Sequence, residues 1–481
     1  MTRFAPTLAS LRTHEVPAWY HDAKLGIFVH WTLAAVPGFA PRDRGIRELM
    51  RERYRDLLPL SPYTEWYENA IRFEWSPSAA YHREHFPGRP YASFRAEFER
   101  GLAHWDPAGW AAAFRAAGAR YVVFVTKHHD GFCLWPSRVP NRRRPGWHTA
   151  RDLVGELAAA VRAAGMRFGV YYSGGIDWSF EPRPVRTFLE FLASMPGGDY
   201  PDYADAQVRE LIERYRPDVL WNDIAWPAAP ARLWRLFADY YEAVSEGVVN
   251  DRWLPRTRAL ALLRVPPLRR LADRWLERRV RDPDADLAAP PSPHFDARTP
   301  EYGSFAEIRP EKWECVRGID KSFGYNRASL PEDFLARDEL IHSFADIVSK
   351  NGNLLLNVGP RGEDAAIPEP QLERLRWLGA FLAANGEAIY GTRPWTRAGG
   401  ETADGTPLRF TRRDGTVYAL LLGTPPGAML RLPGMADAGT RVRVLGRGDV
   451  AAKREGGDLC VDLGTPLPEA TAHALAIEPV R

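Results

Sequence analysis

The stretch Tyr121-Val-Val-Phe-Val-Thr-Lys127-His128-His129-Asp130-Gly131-Phe132 decides how this chain is read. Its first half is an apolar run of strand composition, and it passes without a linker into a lysine, two imidazoles and a carboxylate. A strand that ends in side chains of this kind is what a parallel α/β sheet shows, because chemistry in a (β/α)8 barrel sits at the C-terminal ends of its strands.

The same rhythm extends outward on both sides. From about Trp19 to Tyr390, short apolar or β-branched runs alternate with longer helix-like stretches, which argues for parallel strands joined by helices. The strand candidates are Leu25 to His30, Tyr121 to Thr126, Phe168 to Tyr172, Val219 to Trp221, Gly247 to Asn250 and Asn353 to Asn357. Between them, Asp152 to Ala164 has an acidic start, an Ala-rich body and Gly165 just beyond, so both helix ends are specified. Gln371 to Asn385 reads the same way. Past Gly391 the helical runs stop. Short alternating segments follow at Leu408 to Thr411, Val417 to Leu422, Arg441 to Leu445 and Leu459 to Leu463, with Asp414-Gly415 as a hairpin turn between the first two. The expected architecture is a (β/α)8-like catalytic domain over residues 1–390 and a small β-sandwich domain over 391–481.

Composition fits that plan. The 481 residues suffice for one large barrel and a satellite. With 45% hydrophobic and 26% charged residues the chain is globular, and a net charge of +3 is too balanced for a polyanion-binding protein. No nucleic-acid partner is expected. The three cysteines, Cys133, Cys315 and Cys460, are too few and too scattered for a disulfide framework or a metal site. No apolar stretch reaches membrane-spanning length, so the expectation is a cytoplasmic protein with no membrane partner. Self-association is left open.

One segment fits neither domain. Between Arg252 and Arg281 there are ten arginines and only two acids, Asp273 and Glu277, followed by a Pro- and Asp-rich run from Asp282 to Pro293. Its leucines and Trp275 are compatible with an amphipathic helix, and the segment reads as an insertion over about 254–298 on a long barrel loop. An anionic-partner site is the competing reading.

Phosphate-binding loops, H-E-x-x-H and G-x-S-x-G signatures are absent. Chemistry must come from four clusters at strand ends. Gly26 to Trp31 is a strand emerging at His30. His128 and His129 follow the opening strand; adjacent residues on an extended segment point to opposite sides, which speaks against a shared metal ion, and no metal or other cofactor is expected. Neutral imidazoles suit a ligand rich in hydroxyls. Asp218 to Trp226 sets Asp223 between Trp221 and Trp226, a carboxylate placed to attack a carbon developing positive charge. In Asn250-Asp251-Arg252-Trp253, Arg252 can orient a carboxylate bidentately. A retaining glycosidase needs a second carboxyl group, and Glu301, Glu307, Glu311 and Glu314 are the candidates; spacing does not choose among them.

Taken together, these blocks resemble the α-L-fucosidases of glycoside hydrolase family 29. The resemblance runs through WYHDAKLGIFVHW (19–31), KHHDGFCLWPS (127–137), FGVYYSGGIDW (168–178), PDVLWND (217–223), RGIDKSFGYN (317–326) and NGNLLLNVGPRGED (351–364). It implies a retaining exo-glycosidase acting on terminal α-L-fucosides of oligosaccharides or glycoconjugates, with Asp223 as nucleophile. It implies His30, His128, His129, Tyr171, Trp221, Arg252 and the pair Glu65-Trp66 as substrate-binding residues, with Phe323 against the methyl group of the 6-deoxy sugar. The acid/base falls on Glu301, followed by Tyr302 as in similar enzymes, with Glu314 in reserve. Thr32 stands where the family commonly has Gly. The alternative function is a sugar-binding protein on the same fold that has lost catalysis, and the intact Asp223 argues against it. A fucose pocket also gives a reason for part of the tryptophan excess, since 15 of the 17 lie at or before Trp313.

Overall fold

The computed structural model describes residues 3–282 and 290–479. Seven parallel strands form one sheet: β1 (Leu25–Val29), β2 (Tyr121–Lys127), β3 (Arg167–Ser173), β4 (Val219–Asp223), β5 (Val248–Val249), β6 (Trp313–Gly318) and β7 (Gly352–Val358). Their order is β5-β4-β3-β2-β1-β7-β6. Between the two edges the backbone of residues 297–301 completes the wall through single bridges, Asn250 to Ala297 on one side, Arg298 to Trp313 and Glu301 to Val316 on the other. The result is a (β/α)8-like barrel whose eighth stave is irregular. β6 was not among the sequence-derived strands.

The period of two along each strand sorts its side chains. Phe28, Tyr121, Val123, Val125, Tyr171, Val219, Trp221, Val248, Val316 and Leu355 fill the barrel interior. Their neighbours Ile27, Val29, Val122, Phe124, Val170, Tyr172, Leu220, Leu354 and Leu356 pack outward into a second core with the helices. Those helices include Pro107–Ala116, Leu153–Ala163, Tyr200–Tyr215, Pro230–Ala243, Arg337–Ser349 and Glu369–Asn385. The expected ends of the second are seen: Asp152 caps it by accepting from Gly155 N at 2.9 Å, and Gly165 follows at φ +75°.

Beyond the last barrel helix come eight antiparallel strands, β8 (Arg393–Glu401), β9 (Pro407–Arg413), β10 (Thr416–Leu421), β11 (Met429–Leu432), β12 (Arg441–Val444), β13 (Gly448–Glu455), β14 (Asp458–Asp462) and β15 (His473–Glu478). Their apolar faces, among them Leu408, Phe410, Leu430, Val442, Val461 and Ile477, enclose one core as a β-sandwich. Asp414 and Gly415 both take positive φ, +50° and +87°, which is what a tight β9–β10 hairpin requires.

The Arg-rich insertion leaves the barrel after β5 and forms two helices, Arg258–Leu262 and Pro266–Val280. The chain is back on the wall by Ser292, whose N–H donates to Asp251 O at 2.8 Å, and Asp296, which bonds Val249 O at 2.9 Å. Of the Pro- and Asp-rich run, residues 283–289 lie outside the described residues.

Candidate active site

The two-residue period that fills the barrel also builds the site. His30 lies two residues beyond Phe28, Asp223 two beyond Trp221, Ser173 two beyond Tyr171 and Asn357 two beyond Leu355. All four inward rows thus end in polar groups at the C-terminal mouth. The tops of β4 and β5 are locked by a reciprocal pair: Asn222 N donates to Asn250 Oδ1 at 2.9 Å and Asn250 Nδ2 donates to Asn222 O at 2.9 Å.

Asp223 is held on both oxygens. Tyr171 OH donates to Oδ2 at 2.9 Å, while Oδ1 accepts from Ile224 N at 3.0 Å and from Arg252 Nη1 at 3.1 Å. The backbone just after it is forced into the left-handed region, at φ +59° for Ile224 and +69° for Ala225. For a β-branched residue this is costly, and such strain collects at functional sites.

Glu301 stands opposite, on the irregular stave. Its Oε1 accepts from the same Arg252 Nη1 at 2.5 Å, and its Oε2 accepts from Tyr63 OH at 3.2 Å. One guanidinium nitrogen therefore bridges the two carboxylates. Asp223 Oδ1 and Glu301 Oε1 can be no further apart than these two bonds laid end to end, which is short of the roughly 6.5–9.5 Å separation of inverting glycosidases. Arg252 is itself fixed through Thr299, with Nη2 to its carbonyl at 2.9 Å and Nε to its hydroxyl at 3.2 Å. Asp251 in turn anchors Thr299, accepting from its N–H at 3.0 Å and its hydroxyl at 2.5 Å. Burial opposes the charge on Arg252, but Glu301, Asp223 and Asp251 outweigh it and raise its pKa further.

The imidazoles are neutral, and their hydrogen bonds identify the tautomers. Asn357 donates its amide N–H to Phe323 O, so its Oδ1 must accept from His30 Nδ1 at 2.5 Å. Ser173 Oγ donates to Ile176 O at 2.9 Å, so it accepts from His129 Nδ1 at 2.7 Å. Each ring keeps Nε2 as a lone-pair acceptor for a sugar hydroxyl. Burial pushes His30 down to about 3 and lowers His128 and His129 well below the usual histidine range.

His128 and His129 do not point to opposite sides. Their ring centroids are 4.0 Å apart; His128 stacks on Tyr171 at 5.3 Å and His129 meets Trp66 edge-on at 4.9 Å. The extended segment ends too early for the strand rule to apply. The β2–β3 register slips between Val125 and Lys127. Lys127 is thereby turned to the helix layer, where it pairs with Asp177 at 2.8 Å and lies over Tyr172, leaving the next two residues in a turn closed by Gly131 at φ +73°. A Cβ on Gly131 would meet Asp177 at 2.4 Å.

The remaining expected residues gather around the same mouth. Trp221 stacks on Tyr171 at 5.4 Å beneath Arg252 at 4.8 Å. Phe323 lies 5.0 Å from His30 and from Tyr63, making an apolar wall. Glu65 is buried with no hydrogen-bonding partner on either oxygen, and burial pushes it up to about 8. Thr32 accepts from Ala34 N at 3.2 Å and caps a short 3-10 turn behind His30. Glu314 belongs elsewhere. It lies at the start of β6, fully buried under Tyr20 OH at 2.7 Å, Tyr121 OH at 2.5 Å and Trp221 Nε1 at 3.3 Å, so its oxygens are taken up inside the barrel floor. Tyr63, Asn357, Ser173, Thr299 and Asp251 are site residues that the sequence reading did not single out.

A barrel whose mouth carries two bridged carboxylates, neutral imidazoles and aromatic walls defines a glycoside hydrolase of the retaining class. A model of the α-L-fucosidase family matches residues 1–387, and the chain belongs to that family. It is 33% identical to an α-L-fucosidase of Branchiostoma floridae over 89% of this chain and 84% of that one. With the human tissue α-L-fucosidase the identity is 31% over 93% and 85%. Among solved structures, the Thermotoga maritima α-fucosidase in complex with fucose superposes at a TM-score of 0.80, with 38% identity and 98% and 100% of the two chains covered.

Proposed function

We propose that this chain hydrolyses terminal α-L-fucosides of glycans with retention of configuration, using Asp223 and Glu301 as its two carboxyl groups. The observation that carries the reading is the single Arg252 nitrogen bonded to both carboxylates across the barrel mouth. In the first step an Asp223 oxygen bonds to the anomeric carbon as the glycosidic bond breaks, and the leaving oxygen takes a proton from Glu301. In the second, Glu301 removes a proton from water, which bonds to the same carbon and releases Asp223. His30 and His129 accept hydroxyl protons through Nε2, protonated Glu65 is a further partner for a hydroxyl, and Phe323 lies against the methyl group. These roles are supported by hydrogen-bond direction at His30 and His129, by burial at Glu65 and by the ring contacts of Phe323 with His30 and Tyr63.

The test is hydrolysis of an aryl α-L-fucoside with the anomer of the first-formed fucose read by NMR. The α-anomer, and its loss in Asp223→Ala, is expected; initial β-fucose would overturn the retaining assignment, and unchanged turnover in the variant would overturn Asp223. A cytoplasmic location is also proposed, supported by three cysteines that are all buried as free thiols.

A further inference from the structure

The insertion helix Pro266–Val280 is built inside out. Its acids face the protein: Asp273 accepts from Tyr54 OH at 2.8 Å and from Thr187 Oγ1 at 3.0 Å, and Glu277 pairs with Arg55 at 2.8 Å. Three of its large apolar residues face water, while Leu276 is half-buried and Val280 buried. Leu268, Leu271 and Trp275 are 45%, 61% and 61% exposed, and Leu262 and Val265, just ahead of the helix, are 56% and 44% exposed. These are five of the eight exposed large hydrophobic side chains among the described residues. Arg270, Arg274 and Arg278 on the same helix are exposed and without an ion-pair partner among the described residues, while Arg279 lies over the Trp275 ring at 5.6 Å.

We infer that this face docks the protein onto anionic lipid surfaces. A second copy of the same face would set arginines against arginines, so charge disfavours self-association. The sugar–phosphate backbone of a nucleic acid would satisfy the arginines and leave Leu271 and Trp275 in water. An anionic bilayer meets both needs: its headgroups neutralise the guanidinium groups, and its interfacial zone takes leucine and an indole at shallow depth. The helix spans nothing, so the expectation of no membrane partner, which rested on the lack of a spanning stretch, did not bear on this mode. The insertion leaves the barrel after β5 and returns to it at the stave that carries Glu301. It also packs against the helix Ile46–Glu52, whose Arg47 bonds Glu301 O at 2.7 Å. A docked helix would therefore hold the active-site mouth beside the surface, within reach of glycans carried on lipid headgroups; that consequence rests on the fucosidase reading, whereas the docking does not.

The test is co-sedimentation of the full chain with vesicles of phosphatidylcholine alone and of phosphatidylcholine with phosphatidylserine, followed by Trp275-dependent fluorescence. Binding to the anionic vesicles only, weakening with salt, is expected. Arg270→Gln with Arg274→Gln should weaken it roughly thirtyfold, at ~1 kcal/mol per arginine. Leu271→Ser with Trp275→Ser should abolish it while aryl fucoside turnover, measured without vesicles, stays at the parent level. No binding to anionic vesicles at low salt would overturn the proposal. So would binding unaffected by either pair of substitutions, concentration-dependent dimers that the Leu271/Trp275 pair abolishes, or tight binding to nucleic acid without binding to vesicles.

Discussion

Glu65→Gln tests the electrostatics of the site through stability rather than through turnover. The Glu65 carboxyl is buried and unpartnered, and burial lifts its pKa from 4.5 to about 8. Between those values the folded chain holds a proton that the unfolded chain has released, so stability is lost as the pH rises across the window. At 1.36 kcal/mol per pKa unit the accumulated loss is ~1 kcal/mol near pH 5, ~3 near pH 7 and ~5 above about pH 8. Gln has the same shape and does not titrate, so the variant escapes this slope. Urea unfolding of both proteins, extrapolated to water at each pH, should show a stability difference that grows in favour of the variant by ~3–4 kcal/mol from about pH 5 to about pH 8.5. Titrations elsewhere in the chain cancel in that difference, as does any fixed gain or loss from the amide. A difference flat to within ~1 kcal/mol would show Glu65 to be ionised in the folded protein, and the reasoning that makes it a neutral partner for a sugar hydroxyl would fail.

Other outcomes follow from the same geometry. Tyr171→Phe removes the hydroxyl that holds Asp223 Oδ2, and because a hydrogen bond to a charged group is worth ~1.5–3 kcal/mol, kcat/KM for an aryl fucoside should fall ~10–100-fold; an unchanged value would remove Tyr171 from the reaction. Glu301→Ala should lose most activity on substrates with poor leaving groups and regain turnover with added azide, giving α-fucosyl azide, whereas Glu314→Gln should show no azide effect; the reverse pattern would move the acid/base to Glu314. Gly175→Ala would put a Cβ 1.5 Å from Ile224 O, immediately behind Asp223, and should destabilise the chain by more than ~3 kcal/mol in urea unfolding; wild-type stability would mean that the backbone there is not so closely packed. Because burial holds His30 at about 3, the acid limb of the kcat/KM profile near neutral pH should be unchanged in His30→Gln, and a shifted limb would show that this imidazole titrates in the free enzyme.

What could be read from the chain and what could not divide along physical lines. β2, β3 and β7 were legible because both faces of a parallel strand are covered, by the barrel core inside and by helices outside, so each appears as an unbroken apolar run. β6 was missed because it carries Glu314 and Arg317 within six residues, which breaks the apolar run, whereas β5, though only two residues long, lies within the expected strand Gly247 to Asn250. The residues at strand ends were legible for a related reason: once the inward row is known, His30 and Asp223 continue it by a step of two. The step fails where the ladder slips, at Lys127, and there the strand rule set His128 and His129 apart although the bulge brings them together. Tyr63, Thr299 and Asp251 act through contacts between segments distant in sequence, Tyr63 reaching Glu301 across 238 positions, and no local pattern announces such a bond. Glu301 combines both cases. Its spacing from Arg252 was obscured by the insertion, yet the single bridges of the irregular stave return it to the mouth opposite Asp223. The insertion could therefore grow without moving the carboxylate, because Asp251 and Arg252 pin Thr299 where the chain returns, and the length of the intervening loop is energetically almost free.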